Sequence, residues 1–392
     1  MNTATNVDPG ILGRVTRLAL VVAVVGFVGL GVGMVLSPAR AMTNFLVGSY
    51  AAISLAVGAM GLIALLTVAN AGWAAVCKRV MEGFGAFVPL GAILILATIP
   101  GIQTLYEWSR PEAAHDPLLH NKAAYLNVPF FIIRMLVILG AWVLFTTRLR
   151  RLSIQQDGGA DADVALAARN SRWSAAFIAV LAITLCLAGF DWFMTLEARW
   201  FSTIFGLYHI AGMLVSTVSA VAVATVLLKR AGLLPMVRAD HLHDLGKLMF
   251  GFCTFWAYLW LSQLLLIWYS NIPEETAYYG VRWEHGWTPV FIVNVVVNFV
   301  VPFLLLLPQW AKRNERALLI VGTILLLGRW LDLFLMAAPS NIASAPVPGL
   351  LELAGILGPM GLFVFWVTRT WQRVPLQATR DPYWEESVHL HT

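Results

Sequence analysis

Charged side chains are scarce in this sequence. Asp, Glu, Lys and Arg together make up 12% of the 392 residues, whereas hydrophobic residues make up 59% and the mean hydropathy is +0.76. Soluble domains carry about 25% charged residues. The scarcity of charge excludes an ordinary soluble domain and, with repeated apolar runs of about 20 residues, it indicates a polytopic membrane protein.

Sequence motifs of redox cofactor sites are also lacking. The three cysteines, Cys77, Cys186 and Cys253, are far apart in the sequence, and the sequence contains neither CxxC nor CxxCH. Iron–sulfur clusters need several thiolates, and c-type haem needs CxxCH. Of the eight histidines only His209 lies within an apolar run, whereas membrane b-haem needs facing histidines. We therefore expect no haem, iron–sulfur cluster or metal site in this chain.

Ten apolar runs are long enough to cross the roughly 30 Å hydrocarbon core of a membrane as helices. They cover residues 17–37, 45–69, 81–101, 124–146, 173–196, 202–228, 245–269, 288–309, 317–337 and 350–371. Because lipid offers no hydrogen-bond partners, the backbone groups of these runs must pair within helices. The sequence therefore predicts an all-α polytopic membrane protein with ten transmembrane helices.

The basic residues predict the orientation of these helices. If the N-terminus lies in the cytoplasm, 19 Lys and Arg residues fall on the cytoplasmic side and five fall outside. Cytoplasmic segments carry the excess of Lys and Arg in membrane proteins. We therefore expect both termini in the cytoplasm. The net charge of +5 is then a consequence of topology, and the basic residues form no patch of the kind that binds nucleic acid.

Two outside loops share a pattern that predicts an internal repeat. Each begins with Ile-Pro (99–100 and 272–273), continues with Tyr, Glu and Trp, and ends with a proline at the next helix, Pro129 or Pro289. We predict two four-helix bundles, from spans 2–5 and 6–9, plus two flanking helices. The alternative is that proline and aromatic residues simply favour the membrane interface. The predicted divisions are 1–43 with span 1, 44–200 with a linker at about 148–171, 201–338, and 339–392 with span 10 and the tail.

The seventh apolar run carries a row of polar residues that we call the polar seam. On a helix with 100° per residue, one face collects Asp244, Lys247, Gly251, Thr254, Tyr258, Ser262 and Tyr269, whereas Gln263 lies off it. We expect the seam to face the interior of the bundle, as a hydrogen-bonded path for protons. The alternative is that small and hydroxyl residues at this spacing only pack membrane helices together.

Ionisable residues also lie within the other apolar runs, where a charge costs about 2.5–3.5 kcal/mol at the centre of the membrane. Arg134 is expected in the middle of the fourth span, and those expected near the outer side are Asp191, Glu197, His209, Arg329 and Asp332. We predict that they form a proton relay together with Thr254, Tyr258 and Ser262 of the seam. The alternatives are two structural ion pairs, Arg134 with Asp191 and Arg329 with Asp332, and an interior histidine with satisfied hydrogen bonds.

A second group of ionisable residues is expected near the cytoplasmic ends of the helices. It comprises Glu82, His243, Asp244 and Lys247. These side chains lie close enough to the surface to extend into water. A proton route through the chain would therefore consist of two half-paths, one from each side, that meet near Tyr258.

Four segments of the sequence resemble a known family. They are FFIIR in the fourth run, HDLGKLMFGFCTFWAYLWLSQLLLIWYSNIPEET from His243 onward, the following YYGVRWEHGW, and the tail DPYWEESVHLHT. These segments are similar to the NrfD/polysulfide-reductase-like membrane subunits, and among them to the ActF-type subunits of bacterial alternative complex III. The resemblance covers most of the chain beyond the first span, and the segment in the seventh run is its most specific part.

The resemblance implies a subunit of a quinol:electron-acceptor oxidoreductase in a bacterial inner membrane, with cytochrome c or a cupredoxin as the acceptor. The partners that it implies are a homologous NrfD-like membrane subunit, a periplasmic iron–sulfur subunit and c-type cytochrome subunits. Haem c and iron–sulfur clusters would then belong to the partners. In this family the quinol site is credited to the sister subunit and proton half-channels to the ActF-type subunit.

Three other functions remain open from the sequence. The first is a quinol-binding subunit with its own site near the periplasmic face, where His209 and Asp191 would act as general bases. The second is a structural scaffold. The third is an independent secondary transporter built on a repeat, which is disfavoured because proline and glycine cluster at the ends of the runs. The sequence has no GxxxxGK[ST] motif, which excludes an ATP-driven pump.

Overall fold

In the computed structural model, ten helices are long and apolar enough to cross a membrane, as the sequence predicts. The structure describes residues 10–157, 164–284, 286–342 and 349–390, and all regular structure within them is helical. Spans 1 to 10 are Gly10–Leu36, Pro38–Val68, Gly72–Leu105, Val128–Asp157, Ala165–Glu197, Ile204–Arg230, Ala239–Ser270, Thr288–Leu306, Glu315–Asn341 and Leu350–Trp371. We call the side of the N-terminus the inner side and the opposite side the outer side.

The spans pack as two four-helix bundles, as predicted, with spans 1 and 10 at the flank. Spans 2–5 pack on one another, as do spans 6–9, and the bundles meet where spans 2 and 5 contact spans 6 and 9. Spans 1 and 10 approach closely because glycines face each other. A Cβ added to Gly26 would lie 2.1 Å from the backbone nitrogen of Gly358. Such small residues are the usual means of close helix packing in lipid.

Prolines interrupt two spans of the second bundle. In span 8 the residues Val296–Val300 form a π-helical turn just before Pro302. In span 9, Pro339 lies inside the helix. Because proline has no N–H, the carbonyl of Leu335 four residues earlier loses its helical partner. Both irregularities lie beside buried polar side chains.

The predicted linker at 148–171 is mostly helical, which differs from the expected flexible connector. Helices cover Val128–Asp157 and Val164–Trp192, and the remaining part of the predicted linker lies outside the described residues. The arginines and leucines that begin this segment are good helix formers. They therefore extend span 4 beyond the apolar run that hydropathy detects.

Two short helices cover the ends of the bundles. Pro273–Trp283, which we call the outer helix, lies between spans 7 and 8. At the inner side, the tail helix Trp384–Val388 packs on the start of span 3. There the Ser387 hydroxyl donates to the carbonyl of Trp73 at 2.7 Å and accepts from the backbone N–H of Val76 at 3.2 Å.

Candidate functional site

A buried carboxylate lies in the outer half of the first bundle. Asp191 of span 5 has no solvent exposure, and Arg134 of span 4 donates to both of its oxygens at 2.7 and 3.1 Å. The Tyr125 hydroxyl donates to the same carboxylate at 2.9 Å. The pairing that the sequence left as an alternative is therefore present. A bidentate pair with a further hydrogen bond is the geometry that best stabilises buried charges.

Tyr125 connects this pair to the outer surface. The side chain is 39% exposed and lines a cavity of about 270 Å³ together with Lys122, Phe190 and Phe201. Burial of the phenol, and then the nearby charge of Asp191, raise the pKa of Tyr125 to about 12. Its hydroxyl therefore stays protonated and donates to Asp191 at neutral pH. Burial also lowers the pKa of Lys122 at the mouth of this cavity.

The second bundle contains a matching carboxylate, Asp332 of span 9, which accepts four hydrogen bonds. Arg329 donates to it at 2.6 Å, Trp256 and Asn294 each donate at 3.2 Å, and the Tyr208 hydroxyl also donates. The local Arg329–Asp332 pair left open by the sequence is present. It belongs, however, to a network in which spans 6, 7, 8 and 9 each contribute one donor to Asp332.

The π-helical turn of span 8 lies beside an asparagine pair that orients this network. The Asn298 amide donates to the side-chain oxygen of Asn294 at 2.8 Å and to the carbonyl of Gly328 at 3.0 Å. Because its oxygen accepts from Asn298, Asn294 presents its NH₂ group to Asp332. Turns of this type are frequent at functional sites.

Glu197, predicted as a member of the outer cluster, pairs with an arginine that sequence reasoning had counted only as an outside basic residue. Arg282 of the outer helix is 1% exposed and donates to Glu197 at 2.8 Å. It also donates to the carbonyl of Leu335 at 3.1 Å. This is the carbonyl that Pro339 leaves free. Pro339, two residues after the ninth apolar run, was thus the available signal for a side-chain donor at this position.

His209 is fully buried at the contact between the bundles, but neither ring nitrogen has a hydrogen-bond partner among the described residues. The rings of Tyr50, Phe193 and Phe205 surround it, with centroid distances of 5.2, 5.0 and 5.3 Å. The alternative of an interior histidine with satisfied hydrogen bonds is therefore wrong, because no described residue forms a hydrogen bond to the ring. His209 also makes no hydrogen bond to Asp191, so the structure does not join these two predicted relay residues directly.

Apart from Asp244, which is 7% exposed at the inner end, the polar seam of span 7 faces outward, which contradicts the expectation that it faces the interior. Thr254 is exposed, Ser262 is half-buried, and Tyr258 and Tyr269 are 64% and 86% exposed. Periodicity groups residues on one face of a helix but does not say where that face points. A proton path along the seam through the interior is therefore excluded for this chain by itself.

The opposite face of span 7 supplies the interior polar groups. Trp256 and Gln263 are 1% and 3% exposed, and Trp256 donates to Asp332. The physical reason is local. The Thr254 hydroxyl donates to a carbonyl of its own helix at 2.9 Å and needs no interior partner. An indole N–H or an amide has no such partner in its own helix and is satisfied by a neighbouring span.

Glu82 of span 3, expected to extend into water, is buried in an ion cluster at the inner side. Its side chain is 3% exposed and accepts from Arg79, which also donates to Asp157 at the end of span 4. The neighbouring spans cover this turn, so the negative charge of the carboxylate is balanced by Arg79 and is not solvated by water. Lys247 is about half-exposed, as expected, and pairs with Asp244 one turn away. Asp244 was also expected to extend into water but is only 7% exposed.

The layer that separates the outer and inner clusters is largely apolar, and its buried polar groups include the hydroxyls of Ser54 on span 2 and Thr217 on span 6. On span 2, Tyr50 lies against His209 toward the outer side, and Met60 lies against Gly85 toward the inner side. The intervening stretch of helix is about 15 Å long, and its buried side chains, such as Val57, are mainly apolar. Within the described residues the two clusters therefore share no continuous hydrogen-bonded chain. Any proton transfer across this layer requires internal water.

A scan of the sequence against protein-family models gave no match, and a search of curated proteins gave none either. The family resemblance of span 7 and the tail therefore stays a prediction.

Proposed function

We propose that the chain is an integral membrane subunit of a quinol:electron-acceptor oxidoreductase complex and that it conducts protons, not electrons. In this proposal it holds no redox cofactor, and a cytochrome c or cupredoxin accepts the electrons from partner subunits with haem c and iron–sulfur clusters. The observation that supports it best is the presence of two buried carboxylates, Asp191 and Asp332, in the outer halves of the two bundles. The resemblance in span 7 and the tail supports the type of complex.

The energetic argument is that buried ionisable groups are expensive in a membrane bundle. Desolvation costs several kcal/mol for each ion, and apolar residues often replace a buried pair without loss of stability. Ionisable residues within membrane spans are therefore commonly part of ion or proton pathways. Asp191 and Asp332 each accept from a tyrosine, Tyr125 and Tyr208, and from an arginine. In this arrangement the carboxylate would take up a proton when the arginine moves away, while the tyrosine hydroxyl remains its hydrogen-bond donor.

The positions of the clusters suit two half-paths. Glu82, which pairs with Arg79, lies toward the inner side and would receive protons when that pair opens. Asp191, Asp332 and Glu197 lie toward the outer side and would release them. The apolar layer between the clusters limits leakage, so protons would cross only when water enters it. In this scheme the direction of transfer is set by partner subunits that oxidise quinol.

The test is proton stoichiometry in the native complex. We expect Asp191→Asn and Asp332→Asn to lower the number of protons released per quinol oxidised, with the subunit composition intact. Glu112→Gln, an exposed carboxylate in an outside loop, serves as the matched control and should leave the number unchanged. An unchanged stoichiometry in both interior variants would refute proton conduction. Purification of the chain without haem and iron–sulfur partners would refute the proposed complex.

A second candidate function is favoured by the cavity beside Tyr125. This cavity of about 270 Å³ has aromatic walls, and one of its lining residues, Tyr125, bonds to Asp191. Aromatic walls with a few convergent polar groups are typical of small-molecule sites. A quinol ring in this cavity would place a hydroxyl near the Tyr125–Asp191 pair. A resolved quinone or a competitive inhibitor in this cavity would favour a quinol-binding subunit.

A further inference from the structure

The outer helix closes the outer end of the second bundle. Its inward face carries Tyr278, Tyr279 and Arg282, all buried, whereas Val281 and Trp283 are exposed on its other side. The helix thus turns these three residues into the protein and part of its apolar surface outward, while Glu274 in its first turn is exposed. A surface helix normally turns its polar side chains to water. The buried polar groups of the outer helix therefore need hydrogen-bond or ionic partners in the protein interior.

Arg282 holds the helix in this position through several contacts. Its guanidinium lies 3.4 Å from the centre of the Tyr278 ring and donates to the carbonyl of Leu335 and to Glu197. Burial opposes the charge, but the Glu197 carboxylate and the neighbouring Tyr278 and Tyr279 together outweigh it, so the pKa of Arg282 is raised. Glu197 belongs to the end of span 5 and is 20% exposed. The ion pair therefore joins the outer helix to the other bundle at the edge of the outer aqueous phase.

A small polar cavity lies directly beneath the outer helix. Its volume is about 20 Å³, and its lining includes Gln263, Tyr279, Arg282, Asn294 and Asp332. A cavity of about 10–15 Å³ is sufficient for one water molecule if two to four polar groups surround it. Larger ligands do not fit in this volume.

One group in this cavity lacks a partner. The Gln263 amide nitrogen donates to the Tyr279 hydroxyl at 3.3 Å, but its side-chain oxygen accepts no hydrogen bond among the described residues. Gln263 is 3% exposed. A buried carbonyl of this kind costs about 1–3 kcal/mol when it is left unsatisfied. A water molecule in the cavity would donate to this oxygen.

We propose that the outer helix is a lid over a one-water site between Asp332 and the outer surface, and that the Arg282–Glu197 ion pair keeps the lid closed. This inference deepens the proposed function, since it provides the controlled outer opening that a proton half-path needs. With the lid closed, the single water is isolated from the outer phase. When the ion pair breaks, the outer helix moves away and water reaches Asp332 through the space beside Gln263.

The lid is tested by thiol accessibility in the full chain within its membrane complex. Gln263→Cys places a reporter beneath the outer helix, and a small membrane-impermeant thiol reagent is added from the outer side. We expect slow labelling when Glu197 is intact and labelling faster by about tenfold or more with Glu197→Ala. That factor corresponds to the loss of one charge-assisted hydrogen bond. Glu197→Gln, which keeps an acceptor for Arg282, should give a smaller increase.

The native cysteines provide the folding control for this experiment. Cys77 and Cys253 are fully buried, so their labelling, followed by mass spectrometry, must stay low in every variant. Fast labelling of Gln263→Cys with Glu197 intact, or equal rates with and without Glu197, would overturn the lid. Labelling of Cys253 together with the reporter would show general unfolding and would also overturn it.

The water itself is tested by a high-resolution map of the same complex. We expect one density peak within hydrogen-bond distance of the Gln263 oxygen, and its loss in Gln263→Met, which fills the cavity. A dry cavity in the wild-type map would overturn the water site. These readouts do not depend on proton conduction, because a failed lid leaves the Asp332→Asn effect intact, and failed conduction leaves the labelling pattern intact.

Discussion

Removing one partner of the Arg134–Asp191 pair should destabilise the chain far more than removing both. Asp191 is fully buried and Arg134 is 9% exposed, so Asp191→Leu leaves a buried guanidinium at a cost of about 3–5 kcal/mol. Arg134→Met leaves a buried carboxylate at a similar cost. In the double variant, apolar side chains fill the space, and the lost acceptor of Tyr125 costs about 1 kcal/mol. The coupling energy in this double-mutant cycle should therefore be about 4 kcal/mol or more.

The measurement is the free energy of unfolding of the chain and its three variants in detergent micelles, titrated with a denaturing detergent and followed by tryptophan fluorescence. The matched control is the Arg199–Glu107 pair, whose N–O distance is 2.9 Å and whose side chains are about half-exposed. Its coupling should be about 0–1 kcal/mol, because water screens it. A coupling for Arg134–Asp191 that is no larger than this control would refute the reasoning that the pair is desolvated.

Two further predictions concern tyrosines. Because the pKa of Tyr125 is raised to about 12, its hydroxyl donates to Asp191 throughout the physiological range. The ratio of the quinol oxidation rates of the Tyr125→Phe and wild-type complexes should thus be equal at about pH 6 and about pH 9. A ratio that varies between these values would show that the Tyr125 hydroxyl ionises in this range. Tyr258 faces outward, so Tyr258→Leu should change the free energy of unfolding of the isolated chain by at most about 0.5 kcal/mol. A loss above about 2 kcal/mol would place its hydroxyl in the interior.

Hydropathy predicted the number of spans correctly because every turn of a membrane-crossing helix contacts lipid or an apolar neighbour. Hydropathy did not predict where each span begins and ends. Span 1 begins at Gly10 and span 4 continues to Asp157, well beyond the apolar runs, since a helix continues into water wherever its residues favour it. Hydropathy detects only the part of a helix that lies in the hydrocarbon core.

The candidate site was predictable in part. Arg134, Asp191, Arg329 and Asp332 stood out because an ionisable residue in an apolar run must find a partner. Arg282 did not stand out, because it lies in a loop and its burial depends on the fold of the outer helix. Its partners are a carboxylate 85 positions away and backbone carbonyls of span 9. Pro339 signals that the carbonyl of Leu335 needs another donor, but composition and spacing do not say that Arg282 supplies it.

The sequence by itself determined the class of the protein, the number of its membrane-spanning helices and which ionisable residues lie within them. These properties depend only on the free energy of transfer of each residue from water to lipid. Only the tertiary structure decided which face of span 7 is interior and which groups meet at Asp332. The reason is that a helix with hydroxyls on one face and Trp256 and Gln263 on the other has two polar sides. Which side is buried depends on the partners that the neighbouring spans present, and that complementarity exists only once the helices have assembled.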